Sequence, residues 1–365
     1  MGTRKLATYF SVLFLMLLLI AGLVGACIES PAASPSNFSP STSVSVVSHN
    51  KIILKLALQS SPTEPDALAI DDFAKCFNEH AEGKAEIVVY GNRSMGLSTQ
   101  YLDMVRTGAV EMAELPLGLI EDDSPVLIAP SLPFLFNNTA ASIAAKELMA
   151  EAVFHRFFEK KYNQKPIFWY TGSTYNLGSV NKSIKTIIDM KNMLIAAASH
   201  VQFSILNVLG ASNANVVGPD LYDALEKKVV DAVLIPSGPA VKMNLSKVMH
   251  YWTVCEMHTS YGCVTINQEV FNNLTEDLKG ILFEEGKKCG NSITERIIAL
   301  EKESADQLRK SMVSFYILPD NERERWKQAC LPIWEEYLQR AGADGEILLS
   351  IANEANKAYP YDLNP

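Results

Sequence analysis

Cysteine and histidine are scarce, six of each in 365 residues. No pair of them has zinc-ligand spacing and no His-Glu-x-x-His occurs, so no metal is assigned. The cysteine density is also far below that of a disulfide scaffold. Cys76, on a helix face with Phe73 and Phe77, suits packing as a small apolar residue; Cys255 and Cys263 could pair across a turn. A Gly-x-Ser-x-Gly elbow is missing as well. The serine-containing turns Gly172-Ser173-Thr174 and Ser237-Gly238-Pro239, and the histidines His80, His155, His200, His250 and His258, are tied to no nucleophile motif. An exported hydrolase is therefore the weaker alternative, and no catalytic residue or cofactor is assigned. Basic charge is in deficit: 32 Lys and Arg face 41 Asp and Glu, a net charge of -9. A phosphate-binding face needs the opposite balance, which argues against nucleic acid as partner.

What is present begins with an export-type N-terminus. Arg4 and Lys5 precede an uncharged apolar run from Leu6 to Ala26, the layout of a signal segment. The run is also nearly long enough to span a bilayer, so an uncleaved anchor is the alternative. Val24-Gly25-Ala26-Cys27 resembles a bacterial lipobox, which favours a signal peptide over residues 1–27 and lipidation at Cys27. Ile28 to Asn50 is rich in Ser and Pro and has no lysine or arginine. It reads as a flexible tether, with a reach of roughly 25–30 Å.

From Lys51 the composition is globular and long enough for one large or two medium domains. Ile52 to Leu58 reads as a strand. Pro65 and Asp66 open a helix with Ile70, Phe73, Ala74 and Phe77 at i, i+3, i+4, i+7. A strand at Ile87 to Tyr90 follows, then a helix capped by Ser98 and ended by Gly108, and a strand from Val110 to Leu115. The alternation repeats as strands at Ile167 to Tyr170 and Met193 to Ala197, a helix at Val201 to Leu209, and a strand at Asn215 to Val217. A helix at Pro219 to Lys227 and a strand at Val229 to Leu234 complete it. Such alternation predicts an α/β class with parallel strands, in two lobes parted near Thr171 to Val180. Thr275 to about Met312 is predicted as one very long helix despite Gly286 and Gly290, placed to run along both lobes. Shorter helices are expected at Asn321 to Arg340 and Gly345 to Ala358.

Several segments in order then resemble the DctP-type solute-binding subunits of TRAP transporters. They include Gly91 to Gly96 with Leu102 to Met112, and Leu132-Pro133-Phe134-Leu135-Phe136. Further along come Ile184-Lys185-Thr186 with Asp189-Met190-Lys191, and Leu209-Gly210-Ala211. Tyr222-Asp223-Ala224-Leu225 with Val229-Val230-Asp231 closes the series. The similarity runs from Lys51 to Pro365. It implies a two-lobed periplasmic-binding-protein (venus-flytrap) fold, with lobe I at 51–172 plus about 261–299 and lobe II at 173–260 plus about 300–365. It further implies a receptor outside the cytoplasm that performs no chemistry and delivers a small molecule to membrane permease subunits. A ligand-sensing module for a signalling partner would share these features.

One departure from the family matters. The arginine that family members hold against a ligand carboxylate falls at Ala196, a second basic position falls near Asn176, and a polar triplet is replaced by Val233-Leu234-Ile235. A charge-assisted arginine contact is worth about 1.5–3 kcal/mol, so its loss argues against a simple carboxylate as ligand. A neutral or largely apolar molecule is expected, held by Gln59, Asn176 and Tyr222 with Ile235 at the side. Trp169, Tyr170 and Tyr175 are candidates for an aromatic wall. Arg93, in the loop before the Ser98 helix, is the leading candidate for a replacement cation.

Overall fold

The computed structural model of the chain describes residues 51–120 and 124–361; the expected signal segment, Cys27 and the tether lie outside the described residues. No helix among the described residues is long and apolar enough to cross a membrane.

The first alternation starts with β1 (Ile52–Ala57) and α1 (Pro65–His80). Pro65 occupies the first turn of α1, where its missing N–H breaks no hydrogen bond. Next come β2 (Ala85–Tyr90), α2 (Tyr101–Thr107) and β3 (Met112–Pro116). Gly108 stops α2 at φ 74, a left-handed position where a Cβ would be strained. Ser98 does not cap α2: it lies in a 3-10 turn, Ser98–Gln100, where the Gln100 side chain accepts from Leu97 N at 3.1 Å. Asn138 caps α3 (Thr139–Met149), which passes through a π-helical turn, Ala150–Phe154, into α4 (His155–Tyr162) and β4 (Gln164–Thr171).

The second alternation runs β5 (Asn176–Ser179), α5 (Ile187–Met190), β6 (Leu194–Ala197), α6 (His200–Val208) and β7 (Ser212–Asn215). The strand expected at 215–217 is thus shifted toward the N-terminus. Then come α7 (Asp220–Glu226), β8 (Ala232–Ile235), α8 (Ser237–Lys242) and β9 (Tyr251–Val254). The chain returns through β10 (Tyr261–Asn267), α9 (Gln268–Asn272) and α10 (Glu276–Ser311). It ends with β11 (Ser314–Ile317), α11 (Asp320–Ala329) and α12 (Leu331–Ala358).

These strands form two mixed sheets, in the orders β2-β1-β3-β10-β4 and β11-β9-β5-β8-β6-β7. Only β10 runs against its neighbours in the first sheet, and β5 against its neighbours in the second. Two acids from the family-like segments tie strands together. Glu111 Oε2 accepts from Lys55 N at 3.0 Å, and Asp231 Oδ2 accepts from Leu194 N at 2.9 Å. Asp189 has a similar local task, accepting from the Lys185 and Thr186 backbone ahead of α5. Charge-assisted bonds of this kind fix backbone and leave no free ligand group.

Helix α10 joins the two lobes. Its Leu278, Leu282, Cys289 and Ile293 pack in the first sheet's core, while Leu308 packs with Ala196 and Val233 of the second. Phe134, from the Leu132-to-Phe136 segment, is fully buried in the second core, whereas Leu132 and Leu135 pack in the first. The tail departs from expectation. The break expected between Arg340 and Gly345 is present at Gly342 (φ 58, ψ -140), which parts α12 into two helical stretches; what differs is where they pack. Its Tyr337, Leu348, Leu349 and Ala352 pack with Leu115 and Trp169 of the first sheet, because an apolar stripe on the tail finds the uncovered face there. Cys255 and Cys263 do not pair: they are buried in different cores, and the cysteines from Cys76 onward are free.

Candidate functional site

β4 leaves the first sheet at Thr171 and β5 enters the second at Asn176, so the carboxyl edge of one sheet faces the corresponding edge of the other. The returning segment from Val254 to Tyr261 crosses beside it, tied by Gly172 N to Ser260 O (2.8 Å), Tyr175 N to His258 O (2.9 Å) and Met257 N to Tyr175 O (2.9 Å). Strand-edge crevices of this kind are where α/β proteins place ligands. Two further links span the lobes. Lys242 at the end of α8 forms an ion pair with Glu64, just before α1. Glu301 of α10 accepts from Ser237 N (2.8 Å) and Gly238 N (3.1 Å), capping α8. Burial pushes the Glu301 carboxyl upward against the pull of these donors.

The expected site residues do not all reach the crevice. Gln59 does: it is half-buried just beyond β1, and its side chain makes no hydrogen bond among the described residues. Ile235, the last residue of β8, pairs with Asn176 across β5. Asn176 is buried, and its Oδ1 already accepts from Cys255 N and Glu256 N, each at 3.0 Å, so it holds the crossing segments. Tyr175 is half-buried and stacks on His258 with ring centroids 4.2 Å apart. Ala196 is fully buried on the helix-covered face of β6, with Val233, Leu221 and Trp252, and Tyr222 packs against the same cluster. Arg93 is exposed at φ 57, its backbone N–H donating to Leu58 O at 3.2 Å.

Two aromatic candidates are corrected. Trp169 is 2 % exposed in the first core, with Phe154 at 5.2 Å, and its Nε1 donates to His155 Nε2 at 2.9 Å. Tyr170 points to the other face of β4 and donates to the Glu114 carboxylate. Alternation along a strand puts neighbours on opposite faces, and both faces of β4 are covered, so neither ring forms a cleft wall.

Glu114 was not singled out by the sequence, yet it is the most unusual polar group near the crevice. It is fully buried two residues before the end of β3, and its Oε2 has no hydrogen-bond partner. Burial pushes its carboxyl up to about 8, the charge of Asp66 adds to this, and the Tyr170 hydrogen bond opposes it. A glutamate in the otherwise apolar strand Met112-Ala113-Glu114-Leu115 was the available signal. On the other lobe, Ser199 caps α6, and Gln202 Oε1 accepts from Ala198 N at 2.8 Å. His258 bridges this turn to the crossing segment: its Nε2 lies 3.2 Å from Gln202 Nε2 and its Nδ1 3.1 Å from Thr259 O. The consistent assignment has Nδ1 donating and Nε2 accepting. Burial pushes the His258 imidazole down to about 4, with the Thr259 carbonyl opposing.

This arrangement, two lobes with facing strand edges joined by crossing segments and a shared helix, is that of a solute receptor. Residues 56–340 match the family described as bacterial extracellular solute-binding protein, family 7 (DctP), and the chain belongs to that family. Among curated relatives, the C4-dicarboxylate-binding periplasmic protein DctP of Rhodobacter capsulatus is 23% identical over 302 residues, covering 80% of this chain and 88% of that protein. The 2,3-diketo-L-gulonate-binding periplasmic protein YiaO of Escherichia coli is 20% identical, covering 76% and 84%. The uncharacterized protein y4mM of Sinorhizobium fredii is longer: the 27% identical match covers 53% of this chain and 36% of that one. Among solved structures, a TRAP periplasmic solute binding protein from Ochrobactrum anthropi superposes with TM-score 0.78 at 19% identity, covering 86% of this chain and 98% of that one. One from Desulfovibrio salexigens with bound orotic acid gives 0.73 at 22%, covering 84% and 99%. These likenesses show the two-lobed fold.

Proposed function

We propose that this receptor captures a neutral or largely apolar small molecule between its lobes and delivers it to TRAP membrane permease subunits, while a lipid at Cys27 holds it at the outer face of the membrane. The lobes divide near 172 and 260, with α12 assigned to the first. The observation that carries the ligand reading is the residue at the family's arginine position: it is Ala196, an uncharged side chain fully buried among Val233, Leu221 and Trp252, which offers the cleft no cation. A carboxylate in the cleft would lose water without gaining that arginine as a partner. Capture follows from closure of the lobes about the crossing segments, a hinge motion.

Ligand-dependent unfolding tests this. A saturating solute adds about 2.7 kcal/mol at a hundred times its Kd, which moves the midpoint by several degrees. Across a panel of small metabolites, largely apolar compounds should give such shifts and dicarboxylates should not; strong stabilisation by succinate or malate sinks the ligand reading. Anchoring is tested separately. Cys27→Ser should move the protein from the membrane fraction to the supernatant, and full retention would favour an uncleaved helix.

A further inference from the structure

Helix α8 is gripped at both of its ends from outside its own lobe. At its start, the Glu301 carboxylate of α10 accepts from Ser237 N at 2.8 Å and Gly238 N at 3.1 Å, and the Ser173 hydroxyl donates to it from the crossing segment. The approach there is close, since a Cβ on Gly238 would stand 3.2 Å from Leu300 of α10. At its far end, Lys242 pairs with Glu64 of the first lobe. Glu64 follows β1 and α8 follows β8, so both partners lie at the facing carboxyl edges of the two sheets. The pair therefore bridges the cleft on the side where Gln59 and Ile235 stand.

The two grips differ in strength. Each charge-assisted bond to a carboxylate drawn out of water multiplies an equilibrium constant roughly tenfold or more. The side chains of Lys242 and Glu64 are 61% and 28% exposed, and an ion pair so open to water is worth at most about fivefold. The Lys242 end is thus the one that lets go, while the Glu301 end stays attached. Neither partner needs the other to hold its place. Glu64 stands just before the first turn of α1 and Lys242 in the last turn of α8, so each charge complements its own helix end. The Ser61 hydroxyl also donates to Glu64, at 3.4 Å. Once parted, both charges return to water in position to meet again.

We propose that Lys242 and Glu64 form an ionic clasp across one rim of the cleft, which holds the unliganded receptor closed for much of the time. The clasp rests on the receptor reading and concerns the motion of its lobes, whatever the solute. A fivefold bias is small against the stability of the fold but large against a balanced equilibrium. It takes an open population from about a half to about a sixth. Part of closure is then accomplished before a solute arrives. The clasp is also sensitive to salt, because screening at about 1 M ionic strength falls to roughly 3 Å.

The test follows the unliganded full chain in detergent micelles, by pulsed electron-spin distance measurement between nitroxides on Leu97→Cys and Val217→Cys. Both positions are exposed, and each lies beyond an outer strand, β2 or β7, at the cleft edge. The chain without these two cysteines, treated in the same way, gives the background from native cysteines; those described are buried apart from half-buried Cys76. Glu64→Gln and Lys242→Met should each raise the ratio of long to short distances about two- to fivefold. The double variant should raise it no further than a single one, because one interaction is removed only once. Salt raised from about 50 mM to about 1 M should widen the parent in the same sense and leave the variants nearly unmoved. Unchanged distances in the single variants overturn the clasp, and so does additive widening in the double, which would mean that the two residues act separately. No solute is present, so either failure leaves the capture reading standing.

Discussion

Gly290→Ala is expected to cost about 3 kcal/mol, while Gly280→Ala on the same helix should gain up to about 1 kcal/mol. A Cβ at Gly290 would stand 2.3 Å from the Trp169 carbonyl oxygen and 3.3 Å from the Phe168 ring. That carbonyl cannot retreat. It accepts from the buried Lys146 Nζ at 2.8 Å, and Trp169 is paired with Cys263 in the sheet. Either α10 must lift off β4, opening the core around Cys289 and Ile293, or the β4–β10 ladder must distort. At Gly280 nothing lies within 4 Å, so a methyl group there only removes the helix-weakening freedom of glycine. Denaturant midpoints of the two variants against the parent decide the matter, and equal midpoints would mean that α10 does not approach β4 so closely.

The second large effect is on pH dependence. Glu114 has a carboxyl pushed up to about 8 in the folded chain, against about 4.5 unfolded, chiefly by burial. Between those values the folded state holds a proton that the unfolded state has released. Its stabilising share is complete below about pH 4.5 and is lost as pH rises through about 8. Each pH unit is worth about 1.4 kcal/mol, so the window amounts to on the order of 5 kcal/mol. His258 slopes the other way. Its imidazole falls from 6.5 to about 4, so its share is complete above 6.5 and lost as pH falls through 4. In Glu114→Gln the amide can still accept from Tyr170, so the alkaline decline should shrink while the acid decline stays. Urea midpoints at pH 5, 6.5 and 8 measure both, and an unchanged loss from 6.5 to 8 in the variant would refute the assignment.

Much of this architecture was legible as pattern. The long helix expected from Thr275 to Met312 is observed as Glu276–Ser311, because its apolar positions keep a helical period over the whole stretch. Gly286 and Gly290, which count against a helix by propensity, are where it lies against Ile167, Phe168 and Trp169. Strand β5 was not legible. Asn176-Leu177-Gly178-Ser179 has poor strand propensity, yet it is central in its sheet, where a Cβ on Gly178 would collide with Met249 and Trp252. The site was less legible than the fold. Asn176 and Trp169 offered suitable chemistry, but their hydrogen bonds and cores had already claimed them, and residue type alone does not reveal that. Glu114 had the reverse problem: placed inside an apolar strand, it read as part of the run.

The single helix shared by both lobes also sets the mechanics of the cleft. Ile297 still packs against the first core, and Glu301 already holds α8 of the second. Between them lies less than one turn, Ile298 to Leu300, with no break in the helix. Opening must therefore flex that turn or release the Glu301 cap, and helices resist bending more stiffly than loops do. The lobes are joined less by a door hinge than by a leaf spring, whose elastic energy rises with the angle of opening and limits how far the cleft can gape.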